Sequence, residues 1–345
     1  MPSGSGAKSI LVLAGLGLLA LLLAGAIVGV IGQRILGLGD GYVSKPEIHL
    51  PPQPVFPAAV RDASLGLTAT KSTGDEHPEE PEKDEAHKEG EATEDDHGEE
   101  AHGTPLGITQ FAVTNTLLSS WFTTVVLILF FGLGAWKKSL IPGRFQSLIE
   151  GLIEAALGFC SSVLGPEMGR KAFPVAATIF FFVLFNAWLA LLPFYQFAGF
   201  LQDGEIKAHL LRSAGTDLNF PMALALISFV FVEYWGIRSH GVGYFKKFFA
   251  LGALFRLKPA GLIDAFVGFL ELISEFVRIV SFTFRLFGNM TAGEILVVMI
   301  TFLVPFVAVE FVFGLELLVG LIQAVIFASL TLVFLSVAVS SHQEH

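Results

Sequence analysis

One cysteine, Cys160, stands among 345 residues, so no internal disulfide holds this chain together. Charge is equally scarce. Asp, Glu, Lys and Arg supply 15% of the residues, against about 25% in soluble domains. No basic patch is present to bind nucleic acid. No His-Glu-x-x-His metal helix, Walker loop or nucleophile elbow occurs. The pattern therefore asks for no cofactor and no metal. From Ala260 to the end, Pro305 is the only proline, and that scarcity permits long uninterrupted helices.

What is abundant is apolar surface. Hydrophobic residues make up 53% of the chain, and 34 of them are Phe. A water-soluble core cannot hide that much, so the expected class is an all-α polytopic membrane protein. The formal charge of −10 is no average property. Residues 74–103 hold 14 acidic groups and 2 Lys, and the rest of the chain sums to +2. Four histidines, His77, His87, His97 and His102, are scattered through this acidic insert. Their irregular spacing reads as a solvated loop rather than a metal tract, because such a composition does not offset the entropy of ordering.

Six segments are expected in the membrane. The first runs over residues 10–31, longer than a signal-peptide core of about 7–15 residues. A retained anchor is the better reading, and a cleaved signal is the alternative. Three more lie at residues 113–136, 172–195 and 220–237, each long enough to cross a ~30 Å hydrocarbon core. Pro305 then divides the end of the chain into helices over 260–304 and 306–340. At 1.5 Å per residue these would be roughly 65 Å and 50 Å long, so they must tilt strongly. Between the second and third segments, Phe145, Leu148, Ile149, Leu152 and Ile153 recur at helical spacing, opposite Glu150 and Glu154. That pattern predicts an amphipathic surface helix. The expected domains are an anchor at 1–32, a polar extracytoplasmic region at 33–112 containing the insert, and a membrane domain at 113–345.

Basic residues orient the set. Loop 137–171 carries Lys137, Lys138, Arg144, Arg170 and Lys171, and loop 238–258 carries Arg238, Lys246, Lys247, Arg256 and Lys258. Loop 203–219 has only Lys207 and Arg212. The positive-inside rule places the first two loops, and both termini, in the cytoplasm of a multi-pass inner (plasma) membrane protein.

The 260–304 helix is studded with Asp264, Glu271, Glu275, Arg278, Arg285 and Glu294. Charges at membrane depth cost ~2.5–3.5 kcal/mol each on insertion scales, so these must face water or a partner. Arg285 lies mid-helix in an apolar run and keeps its proton under essentially all conditions. At ~4 Å and an effective dielectric near 20 it attracts a carboxylate by about 4 kcal/mol, enough to drive a proton off a passing carboxyl. On a helical wheel Arg278 and Asn289 fall near its face and Glu271 about 40° away, whereas Glu294 lies about 180° round. The second arm carries Glu316 and Gln323 on one face, and Gln323 could hydrogen-bond an Arg across the hairpin.

The run Arg285-Leu286-Phe287-Gly288-Asn289-Met290-Thr291-Ala292-Gly293-Glu294 resembles the signature of subunit a of F-type ATP synthase. Ile141-Pro142-Gly143-Arg144-Phe145-Gln146 resembles that family's surface helix. Phe185-Asn186 before Leu191-Leu192-Pro193, Asp217-Leu218-Asn219, and Gln323 before Leu332-Val333-Phe334-Leu335-Ser336 are similar too. The similarity covers residues 110–340 in order. It implies a non-catalytic, proton-translocating stator with two half-channels against a ring of c subunits. The ring supplies the titrating carboxylates. Peripheral-stalk b subunits, the rest of the complex and the lipid bilayer are the other implied partners, and ATP is handled by another chain. Arg285 matches the essential arginine. Glu294 and Glu316 match proton-path positions, Gln323 the arginine's partner, and Asn289 and Glu271 further polar positions. Asn186, Asp217 and Asn219 would line the outward half-channel. Arg278 is a supporting residue, and Gly288 and Gly293 would allow close helix approach. Protons are the implied cargo, with Na⁺ the alternative set by the ring. The acidic insert, absent from the simplest members, would concentrate cations at the channel mouth. A self-contained channel or secondary transporter would use intramembrane charge equally well, but no internal repeat supports it. A scaffold whose charged helix only docks a partner is the third reading.

Overall fold

The computed structural model describes residues 19–20, 52–57, 61, 112–136, 143–192, 195, 198–202, 205–241, 244, 259–304 and 307–340. Leu19 and Ala20 are helical. The rest of the expected anchor at 10–31, the insert at 74–103 with its four histidines, and the side chain of Asp264 lie outside the described residues.

Among the described residues six helices are long and apolar enough to cross a membrane, and they make this a multi-pass α-helical membrane protein. They are α1 (Asn115–Trp136), α2 (Arg144–Leu164), α3 (Pro166–Ala190), α4 (Asn219–His240), α5 (Pro259–Leu303) and α6 (Val307–Val339). Five of them answer to expected segments, the sixth expected segment at 10–31 lies outside the described residues apart from Leu19 and Ala20, and α2, read from sequence as the surface helix, is itself long enough. Its apolar stripe is not covered by the rest of the chain. Ile149 is buried, while Phe145, Leu148, Leu152 and Ile153 are exposed.

Helix ends follow local chemistry. α2 turns into α3 at Gly165, whose φ of 79° and ψ of 167° suit glycine alone. Pro166 then occupies the first helical position, where its missing N–H costs nothing. α3 therefore starts six residues before the expected segment, taking Arg170 and Lys171 into its first turns. It stops at Ala190, and Leu191 and Leu192 form a turn before Pro193. The tight return from α2 to α3 has a packing cause as well. A Cβ at Gly169 would come within 2.7 Å of the Ser161 backbone.

α3 is the central post. Half of its apolar window is buried, against 17% for α1 and 11% for α2. Ile179, Val183 and Leu184 of α3 join Leu224 and Ala225 of α4, Phe282 and Leu286 of α5, and Ala324 and Phe327 of α6 in one core cluster. A second cluster joins Cys160 of α2, Ala172 and Ala176 of α3, Val232 of α4, and Leu332 and Leu335 of α6. The small residues in it let helices approach closely where lipid supplies no hydrophobic drive. Lys171 of α3 and Arg238 of α4, drawn from the two basic loops, lie 5.7 Å and 5.5 Å from the ring centre of Trp235. The start of α3 and the end of α4 thus meet at one end of the bundle.

The terminal hairpin has the expected form. α5 runs 45 residues and α6 33 residues, with the break at Pro305.

Two short strand pairs interrupt the helical plan, and the sequence reading had neither. β1 (Pro54–Phe56) pairs antiparallel with β2 (Val113–Thr114). The backbone of Gln53 closes the clip, its N–H donating to Asn115 Oδ1 at 3.2 Å while its carbonyl accepts from Asn115 N at 3.0 Å. Residues 113–114, expected inside a membrane segment, are therefore strand, and the region at 33–112 is stitched to the head of α1. β3 (Gly199–Gln202) and β4 (Glu205–His209) form a hairpin in the connection between α3 and α4.

Candidate functional site

The site grows from a stripe on α1. Asn115, Thr116, Ser119 and Thr123 recur at helical spacing and are each no more than 2% exposed. They turn inward because lipid offers hydroxyls and amides no partners. Thr116 Oγ1 donates to Asp217 Oδ2 at 2.9 Å, and Ser119 Oγ lies 2.9 Å from the Tyr195 hydroxyl. Asp217 Oδ1 accepts from both the backbone N–H and the side-chain amide of Asn219 at 3.0 Å, fixing the entry to α4.

Behind Asp217 lies a single 3₁₀ turn, Ala214–Thr216. Asn186 of α3, 2% exposed, reads its edge. Its Oδ1 accepts from Ala214 N and its Nδ2 donates to Ser213 Oγ, both at 3.4 Å. The turn leans on α5 at Gly215, where a Cβ would meet Met290 Cγ at 2.6 Å. Arg212, just before the turn, reaches across to α5. Its Nε donates to Glu294 Oε1 at 3.0 Å and Oε2 at 3.1 Å, and its Nη2 to Oε2 at 3.0 Å. A guanidinium fork of this kind is a strong, directional way to hold a carboxylate. Glu316 of α6 adds a second carboxylate beside it, filling the space over Gly293 that a Cβ would take.

One step along the hairpin, Asn289 Nδ2 donates to Gln323 Oε1 at 2.7 Å. This corrects the expected pairing of Gln323 with an arginine. The shorter Asn289, one turn beyond Arg285, takes the acceptor. Arg285 instead donates from Nη2 to Ser281 Oγ at 3.4 Å and lies 5.8 Å from the Phe282 ring centre. Among the described residues no carboxylate pairs with Arg285. It is a half-buried cation on the long arm.

Other expected residues sit elsewhere. Arg278 is drawn down onto Phe334, 3.8 Å from the ring centre, and its Nη1 lies 2.6 Å from the buried Glu275 Oε2. Glu271 is half-buried, about 35 Å along the helix axis from Glu294 at 1.5 Å per residue. It does not join the cluster. Gly293 leaves room for the Glu316 carboxylate, while a Cβ at Gly288 would meet nothing within 4 Å among the described residues.

The structure thus brings together Asn186, Asp217, Asn219, Glu294, Glu316, Asn289 and Gln323 along one polar seam that ends near Arg285. Sequence reading missed Arg212, Thr116 and Ser119. The α1 hydroxyls carried a visible signal, polar residues at helical spacing in an otherwise apolar segment. Arg212 carried none, since a loop arginine reads as solvated.

Known proteins are similar to most of the membrane part of this chain. Residues 117–336 match the family model described as ATP synthase A chain. The ATP synthase subunit a of Gloeobacter violaceus is 34% identical over 230 residues, covering 67% of this chain and 85% of that protein. The ATP synthase subunit a of Helicobacter pylori is 32% identical over 238 residues, covering 68% of this chain and 95% of the relative. That of Helicobacter acinonychis is 32% identical over the same length.

Proposed function

The chain belongs to the ATP synthase A chain family, and on that premise we propose that it is the proton-translocating stator subunit of an F-type ATP synthase. It is a non-catalytic membrane subunit, and the catalytic sites lie in other subunits. Its partners are the c-subunit ring, the peripheral-stalk b subunits and the rest of the complex. Its place is the bacterial inner membrane, with both termini in the cytoplasm.

The observation that carries the reading is Arg285. It is an unpaired cation, among the described residues, in the middle of a 45-residue helix. The polar seam through Asn289, Gln323 and Glu294 approaches it from one side along α5. Protons enter at Asp217, Asn219 and Thr116, pass Asn186, and reach Glu294 and Glu316. From there they load a carboxylate of the ring. The loaded, neutral carboxyl rotates away through lipid, because a neutral group crosses at far lower cost than a charged one. Near the end of its turn it meets water on the other side of Arg285. The fixed guanidinium then favours the carboxylate, and the proton leaves along the Glu271 side of α5. Among the described residues no carboxylate satisfies Arg285, so it is free to attract each ring carboxylate in turn. Asn289 and Gln323 hold the hairpin in register beside it through their 2.7 Å bond.

The test uses vesicles holding the whole complex. With Arg285→Ala, ATP-driven proton pumping should vanish, while passive proton conduction persists once the soluble catalytic part is removed. Normal pumping by that variant would overturn the reading and leave the charge a structural one.

A further inference from the structure

The best-formed ion pair of the seam, Arg212 with Glu294, has so far been given no role. Arg212 is only 9% exposed, and three N–H···O bonds of 3.0–3.1 Å bind it to one carboxylate. Its backbone is seated from both sides. Asn186 holds Ser213 and Ala214, and Gly215 packs on Met290. The turn that follows Arg212 is therefore held without help from Glu294.

Among the described residues, the charges along the chain nearest Glu294 come from three elements. The loop contributes Arg212. Helix α6 contributes Glu316, packed on the neighbouring Gly293. Its own helix contributes Arg285, nine residues earlier and about 180° round the wheel. Asp217 is committed to Thr116 and Asn219. The ionisable groups of α4, Glu233, Tyr234, Arg238 and His240, lie at that helix's far end. Among the described carboxylates, the one that Arg212 grips is Glu294.

We propose that Arg212 is a positioning residue of the outward half-channel, which latches Glu294 as a carboxylate and releases it only as a proton arrives. The step balances simply. A hydronium ion gives its proton to Glu294 Oε2 and leaves as water, the two N–H···O bonds to that oxygen open, the Nε–H bond to Oε1 weakens as the carboxyl loses its charge, and Arg212 keeps its own proton and charge. Passing the proton onward to Glu316 or the ring restores the carboxylate and closes the latch. This inference rests on the proton-path reading of Glu294.

The experiment measures passive proton conduction through the whole membrane complex after removal of the soluble part, divided by the amount of this subunit assembled. Arg212→Gln should lower conduction about tenfold, and Arg212→Lys, which keeps the charge without the fork, should recover about threefold of that loss. In a Glu294→Gln background, adding Arg212→Gln should change nothing further. The single variant leaves a carboxylate without its cation and can deplete the chain from the membrane. The double variant removes both charges, so its comparison with Glu294→Gln alone still decides. Full conduction by Arg212→Gln, equal losses for Gln and Lys, or a double variant more than about threefold below Glu294→Gln overturns the latch. Full conduction by Glu294→Gln instead removes Glu294 from the path, and with it the reading on which the latch stands.

Discussion

Arg285 and Gly293 make opposite demands on their surroundings. Arg285 works by charge and by reach, so Arg285→Lys should nearly abolish pumping although the sign is kept, because an ammonium lacks the guanidinium fork. Pumping within about twofold of wild type in vesicles would favour a scaffold reading instead. Gly293 works by having no side chain. Gly293→Ala places a methyl group where the Glu316 carboxylate now lies. The carboxylate is the mobile end of a flexible side chain, so the fold should survive while Glu316 is pushed out of the seam. Proton conduction should fall several-fold with assembly unchanged, and a further Glu316→Gln change should then cost little. At this scale the sequence told much about Arg285, Glu294 and Asn289, which stand together in one run. It told nothing about Arg212, whose partner is 82 positions away, and it mispaired Gln323. Which of two polar groups one turn apart wins a hydrogen bond depends on side-chain length and helix phase, and no wheel resolves that.

Helices were legible where a long period or a strong breaker spoke. Pro305, alone in its stretch, marked the break between α5 and α6. The pair Gly165-Pro166 defines the α2–α3 turn, yet the expected segment began later because Arg170 and Lys171 read as loop. The strand clip was illegible for a physical reason. Two or three residues carry no period, and their pairing is set by contacts more than 50 positions apart. The α2–α3 return gives a test at this scale. Gly169→Val drives two methyl groups into the Ser161 backbone, which cannot yield as a side chain can. Helix separation should lower the unfolding temperature of the detergent-solubilised complex by several degrees, with a cost of about 1–3 kcal/mol for overpacking. Gly288→Ala, which meets open space, is the control and should leave that temperature unchanged.

For the whole molecule, charge is divided between a nearly neutral membrane body and the acidic insert at 74–103. If the insert gathers cations for the seam, its deletion should slow proton entry at low ionic strength. The difference should fade near 0.15 M salt, where the screening length is about 8 Å. Equal conduction at every salt concentration would assign the insert no such part. The clip bears on the same region in another way. Phe56 and Val113 are held side by side whatever lies between them. The membrane body therefore does not register the length of the intervening chain, since each doubling of a closed loop costs only about 0.6 kcal/mol. Fluorescent labels, affinity handles or whole folded domains can be spliced between those two residues with the helices left as they are. The clip makes this stretch a docking port for instrumenting the membrane body.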